Sequence, residues 1–173
     1  MELIKEINYN IDINKLLKIV NGYVYKDLAL RMEGFSVQTR LNVPYPWNFI
    51  DGLESLKLYP TGTVEQDFKF LNQIFKNTVI ENIVCDLKLF RTRVMIKNQK
   101  TCYSFHQDAT WRVHIPIITD PQCVFYFPEH GQRFHLEVGK VYNVNTKEIH
   151  TFINASERQR VHMVGCIDIK DLC

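Results

Sequence analysis

The residue types that could do chemistry in this chain concentrate at His106, Asp108 and His150. In Tyr103-Ser104-Phe105-His106-Gln107-Asp108 an imidazole and a carboxylate stand two positions apart. On an extended strand such positions project from the same face, so both can meet one ion. A His-x-Asp alone is weak, and it gains weight from His150, which opens a late strand-like run in Lys147-Glu148-Ile149-His150-Thr151-Phe152. Two histidines and one carboxylate leave positions open on an octahedral ion, a donor set suited to Fe(II) that must still admit O2 and an organic chelator. Structural zinc sites are closed by four ligands, and this set is not.

Arg160 follows a turn read from Asn154-Ala155-Ser156-Glu157. A strand, a tight turn and an antiparallel return would bring it back beside His150, with its guanidinium reaching into the metal cavity from the far end. Its planar fork suits the distal carboxylate of a dicarboxylate such as 2-oxoglutarate. Arg158 carries the same charge but sits on or beside the turn.

These residues need a scaffold, and the apolar pattern supplies one. Ile13, Leu16, Leu17 and Val20 recur at helical spacing, with Asn21-Gly22 as a stop. Between Gly34 and Pro60 the residues Pro44, Pro46, Trp47, Asn48 and Gly52 read as a loop that could shape a substrate entrance. A second helix is predicted from Val64 to Lys76: Thr63 caps it, Glu65 and Asp67 lie in its first turn, and Phe68, Leu71, Ile74 and Phe75 share a face. Strands are predicted at Ile83–Phe90, Arg93–Ile96, Trp111–Ile118, Cys123–Phe127, Phe134–Val138, Lys140–Val144, Ile149–Ile153 and Val161–Ile167, which implies a barrel or sandwich with the helices outside. No repeat or linker divides residues 1–173, read as a single domain.

Composition narrows the class. A net charge of +2, with the basic residues scattered, argues against a nucleic-acid binder. No apolar leader or long apolar run is present, so neither export nor a membrane span is expected. Five cysteines without CxxC spacing fit a reducing, cytoplasmic setting.

From Arg91 to Asp168 the sequence resembles the aspartyl/asparaginyl β-hydroxylase-like branch of the 2-oxoglutarate oxygenases, which includes enzymes that hydroxylate free proline. The likeness rests on Arg91-Thr92-Arg93-Val94-Met95, His106-Gln107-Asp108, Arg112-Val113-His114-Ile115-Pro116-Ile117 and Thr119-Asp120. It continues through Gly139-Lys140-Val141, Asn145, His150, Asn154, Ser156, Arg160-Val161-His162 and Asp168. The resemblance implies a mainly β, double-stranded β-helix (jelly-roll, cupin-like) barrel at about 79–168, with a helical N-terminal part, 1–78, packed outside. It implies that His106, Asp108 and His150 hold Fe(II), that Arg160 takes the distal carboxylate of 2-oxoglutarate, and that Arg112 and His114 help to seat this cosubstrate. His162 shares a strand face with Arg160 and could line the same cavity. Tyr103, Trp111 and Tyr126 are candidates for substrate contact.

The activity so implied is a dioxygenase that hydroxylates an amino-acid side chain, peptidyl or free, Asp/Asn or Pro for example, and releases succinate and CO2. The metal does the chemistry, so no side chain is assigned as acid or base. One alternative is a non-catalytic oxoglutarate- or metal-binding cupin or sensor. Another is a nucleic-acid dealkylating oxygenase; those typically carry a second arginine shortly after the first, where this chain has Cys166.

Overall fold

The computed structural model describes residues 2–24, 33–40, 51–168 and 170. Twelve strands are named in chain order: β1 (Ile4–Ile7), β2 (Gly34–Ser36), β3 (Gln38–Thr39), β4 (Phe70–Leu71), β5 (Phe90–Lys97), β6 (Thr101–Cys102), β7 (Trp111–Ile118), β8 (Cys123–Phe127), β9 (Gln132–His135), β10 (Val141–Val144), β11 (Thr151–Asn154) and β12 (Arg160–Ile167). Among the described residues two helices, α1 (Ile13–Val24) and α2 (Val79–Asp86), accompany them.

Alternation of side chains along the strands explains the layers. On β7 the residues Val113, Ile115 and Ile117 point one way, and on β12 Val161, Met163 and Ile167 do the same; all join one apolar core with Leu16 and Val20 of α1 and Ile80, Ile83 and Val84 of α2. Arg112, His114, Arg160 and His162 alternate with these residues and face the other way. The six-stranded sheet runs β1-β10-β7-β12-β5-β2, and the second sheet runs β6-β11-β8-β9. All pairings are antiparallel. Between the sheets lies a second apolar cluster of Leu3, Cys123, Phe125, Phe127, Leu136, Tyr142, Val144 and Phe152. The polar row of the large sheet therefore looks across at phenylalanines.

The N-terminal segment is woven into this plan. β1 pairs with β10 and β2 with β5, so the chain's early strands form both edges of the large sheet. Gly34 has φ +144, and a Cβ there would meet the Val94 carbonyl oxygen at 1.9 Å, so only glycine lets β2 lie this close to β5.

Several expectations change. The first helix runs on through Gly22 to Val24. The predicted helix Val64–Lys76 does not form: the segment holds 3-10 turns at Glu65–Asp67 and Gln73–Phe75 around β4, which pairs with β3. Helix would have left Glu65 in a solvated first turn, whereas it is 3 % exposed and engaged by two arginines. Asn72, in mid-helix by the sequence pattern, bonds Val37 through its backbone and caps the second turn with its side chain. Conversely, Val79–Asp86 is helical where the pattern suggested the strand Ile83–Phe90. Thr78 is its N-cap, accepting from the Ile80 N–H at 3.2 Å. The loop around Pro44, Pro46, Trp47 and Asn48 falls at 41–50, outside the described residues, as does Cys173. Among the described residues no helix is long and apolar enough to cross a membrane.

Candidate metal centre

His106 and Asp108 lie in the segment between β6 and β7, and His150 immediately precedes β11. The backbones of His106 and His150 exchange both hydrogen bonds at 3.0 Å, a single antiparallel bridge that sets the imidazoles side by side with centroids 4.4 Å apart. The Asp108 N–H donates to the Thr146 carbonyl at 2.8 Å, which turns its carboxylate toward the pair. One donor atom from each of the three side chains lies within 4.8 Å of the other two.

The ring nitrogens are sorted for coordination. His106 Nδ1 lies 2.8 Å from the Ser104 carbonyl and His150 Nδ1 lies 3.0 Å from that of Glu148. A carbonyl only accepts, so Nδ1 carries the proton in both rings and the Nε2 lone pairs are left for an ion. Burial pushes the His150 pKa down, with the hydrogen bond to Glu148 opposing and His106 assisting. A neutral imidazole is the form a metal needs. With two nitrogens and one carboxylate oxygen converging, the trio fits a ferrous ion with vacant positions.

Arg112 supports this carboxylate. Its Nη2 is 3.2 Å from Asp108 Oδ1 and 2.6 Å from Glu65 Oε1, while Nη1 reaches Glu65 Oε2 at 3.1 Å. Thr110 Oγ1 donates to Glu65 Oε2 at 2.6 Å, and Arg91 Nη1 donates to Oε1 at 2.8 Å. Glu65 is thus a buried hub that sequence reasoning placed on a solvated helix. Burial raises its pKa, but Arg112, Thr110 and Arg91 outweigh this and hold it at about 2.

Glu65→Gln is expected to destabilise the fold by about 3–5 kcal/mol, because it leaves buried guanidinium groups without their counter-charge. In the wild type this stabilisation is complete above pH 4.5, the unfolded carboxyl value, and is lost as pH falls through about 2. Denaturant unfolding at stepped pH should show that acid slope in the wild type and a shallower one in the variant; equal slopes would remove the hub from the account.

Further along the same sheet face, Arg160 is 2 % exposed. Its Nη2 donates to His162 Nδ1 and approaches His114 Nδ1 at 3.5 Å. Its guanidinium carbon lies 4.0 Å from the centroid of Phe152. Since arginine only donates, both histidines accept at Nδ1 and carry their protons on Nε2. Burial, and then Arg160 itself, lowers the pKa of both well below the ordinary imidazole value, so both are neutral. His162 Nε2 and Arg160 Nε are buried donors without an acceptor among the described residues. Burial draws the Arg160 pKa down to about 9, and no carboxylate forms an ion pair with it among the described residues. A buried cation lacking an acidic partner marks a place prepared for an anion.

The route to this position differs from the expected hairpin. β11 belongs to the small sheet and β12 to the large one, so the chain crosses between sheets. The predicted turn exists, and Asn154 shapes it: its Nδ2 donates to the carbonyls of Lys97, Asn98 and Arg158, and its Oδ1 accepts from the Ser156 N–H. Arg160 therefore faces Phe152 across the inter-sheet space, and Arg158 is exposed on the turn.

The aromatic candidates divide. Tyr103 is partly buried beside the inter-sheet cluster. Trp111, 7 % exposed, belongs to the helix-side core on the face of β7 opposite to Arg112 and His114. Tyr126 alternates with the inward Phe125 and Phe127 and points outward, its ring 6.3 Å from that of Phe105. Phe105 itself is 58 % exposed beside His106 and was not picked out from sequence. Arg93 was also passed over: it shares a face with Val164 and lies within electrostatic reach of Asp108, its Nε lacks an acceptor, and burial lowers its pKa to about 10.

No protein-family model matches the chain, and no curated protein matches its sequence. Solved structures do. The viral collagen prolyl hydroxylase of Paramecium Bursaria Chlorella virus-1, determined as its 2-oxoglutarate complex, is similar with a TM-score of 0.53 and 10 % identity, covering 96 % of this chain and 97 % of that one. A cupin domain from Bordetella pertussis Tohama I gives 0.40 at 21 % identity over 44 % of this chain and 79 % of that one. A nickel complex of the non-haem monooxygenase ThoJ gives 0.39 at 12 % identity over 89 % and 64 %. Two antiparallel sheets closed around a mixed core, with a fold-level match along nearly the whole chain, make this a double-stranded β-helix similar in fold to that viral hydroxylase.

Proposed function

We propose that this protein is an Fe(II)- and 2-oxoglutarate-dependent dioxygenase that hydroxylates an amino-acid side chain, peptidyl or free. The observation that carries the reading is a pairing within one inter-sheet space. Three donors converge at one end, and a buried guanidinium without an acidic partner among the described residues stands further along the same face. A chelating 2-oxo acid with a second carboxylate would satisfy both.

His106, Asp108 and His150 would hold the ion, and the Ser104 and Glu148 carbonyls keep the two imidazoles in the coordinating tautomer. When bound, the ferrous ion couples oxidative decarboxylation of 2-oxoglutarate, which consumes O2 and yields succinate and CO2, to hydroxylation of a substrate C–H. The side chains bind, orient and exclude water. Arg112, its other donors fixed by Glu65, holds Asp108 in place. Arg160 would receive the distal carboxylate, oriented by the neutral rings of His114 and His162. Phe125 and Phe152 form a dry wall opposite, which strengthens each charge interaction inside.

An amino-acid side chain as substrate is supported by the resemblance of residues 91–168 to the aspartyl/asparaginyl β-hydroxylase branch. The fold likeness to a protein described as a collagen prolyl hydroxylase points the same way. Incubation with Fe(II), ascorbate and 2-oxoglutarate should release succinate, and a cognate peptide or amino acid should stimulate the release. Tight 2-oxoglutarate binding without turnover on any candidate would point to a sensor, and absence of binding would end the oxygenase reading.

A further inference from the structure

Besides Arg112, the sheet face opposite the phenylalanines carries Arg93, Lys97 and Arg160, and the last two are cross-strand partners. Lys97 of β5 is the direct partner of Arg160 in the β5–β12 register, so the two side chains leave the sheet from the same face. Each ends on an aromatic ring presented from the other side. Lys97 Nζ lies 3.6 Å from the centroid of Tyr103, as the Arg160 guanidinium does on Phe152 at 4.0 Å. The Tyr103 N–H donates to the Phe152 carbonyl at 3.1 Å, so the two rings are neighbours. Lys97 is 7 % exposed, and among the described residues no acidic group forms an ion pair with it.

Two cations on directly paired positions of one sheet face, both buried and neither in an ion pair among the described residues, carry an unbalanced positive charge. Ring faces offset part of its cost and cannot neutralise either charge. An anion between them would relieve it. We propose that Lys97 and Arg160 together form a two-cation seat for a single carboxylate at the end of the cavity away from Asp108. The proposal rests on the oxygenase reading, in which this carboxylate is the distal one of 2-oxoglutarate. Arg160 supplies the planar fork that fixes orientation, and Lys97 supplies a compact point charge that raises the preference for a dicarboxylate over a 2-oxo monoacid.

The test is direct titration of anaerobic, Fe(II)-loaded protein with 2-oxoglutarate and with 2-oxobutyrate, which lacks the distal carboxylate. Lys97→Met keeps the stem and removes the charge. It should weaken 2-oxoglutarate by about 10- to 100-fold, leave 2-oxobutyrate within about 3-fold, and raise the unfolding midpoint of the ligand-free protein by removing an uncompensated buried cation. Lys97→Arg should retain most of the 2-oxoglutarate affinity. Lys97→Gln serves the same comparison if the methionine variant fails to fold. Equal weakening of both acids, or a lowered ligand-free midpoint with the ratio of the two affinities unchanged, would make Lys97 a packing residue and overturn the seat. Unchanged 2-oxoglutarate affinity in Lys97→Met, with the wild type binding, would overturn the seat and leave the oxygenase reading intact. A wild type that binds neither acid would remove both.

Discussion

Replacing His150 with alanine is expected to abolish retention of Fe(II) and, with it, succinate release. Losing only a supporting hydrogen bond to a metal ligand typically costs roughly 10- to 100-fold in affinity, so losing one of three ligands should exceed that. The two remaining groups, His106 and Asp108, are partly exposed and would hold an ion only weakly. The fold should survive, because the bonds that His150 shares with His106 are made by the main chain and do not need the imidazole. Anaerobic dialysis against a competing chelator, with far-UV circular dichroism as a fold control, reads both quantities. Wild-type iron content in this variant would remove His150 from the metal centre.

Arg160→Ala is expected to do the opposite: keep the iron and lose the cosubstrate. Truncating one partner of a buried, hydrogen-bonded charge pair costs about 2–5 kcal/mol, which corresponds to roughly 30- to several thousand-fold in the dissociation constant of 2-oxoglutarate. Arg160 is 2 % exposed, so solvent screens little of that interaction. Removing it also frees His162 Nδ1, but His162 is neutral and cannot replace the charge. Calorimetric titration of the anaerobic Fe(II)-loaded variant measures the change. An unaltered dissociation constant would transfer the role to a different cation.

The β-core was the legible part of this chain. Trp111–Ile118 and Cys123–Phe127 were bounded as they stand, because β-branched and aromatic residues alternate there and the flanking residues favour turns. The convergence of His106, Asp108 and His150 was legible from donor chemistry, although His106 and Asp108 stand in the segment between β6 and β7 and not on the strand that the i, i+2 spacing suggested.

Two kinds of information were not. The apolar spacing of Phe68, Leu71, Ile74 and Phe75 is compatible with a helix, and nothing local reveals that Arg91 and Arg112 draw Glu65 inward and hold the segment out of one. Tertiary charge pairing overrode propensity there. Likewise the Asn154–Ser156 turn looks the same in sequence whether the chain returns to its own sheet or crosses to the other. Lys97 went unnoticed because the lack of an ion-pair partner among the described residues is a property of three-dimensional surroundings, with no signature in residue type.

The main-chain bridge between His106 and His150 has a bearing on how the protein would behave between catalytic lifetimes. Because backbone bonds already clamp the two segments, an ion would not be needed to bring the two imidazoles together, unlike in domains that fold around their zinc. Depletion by a chelator would then leave an intact vessel, refilled by diffusion without any need to refold.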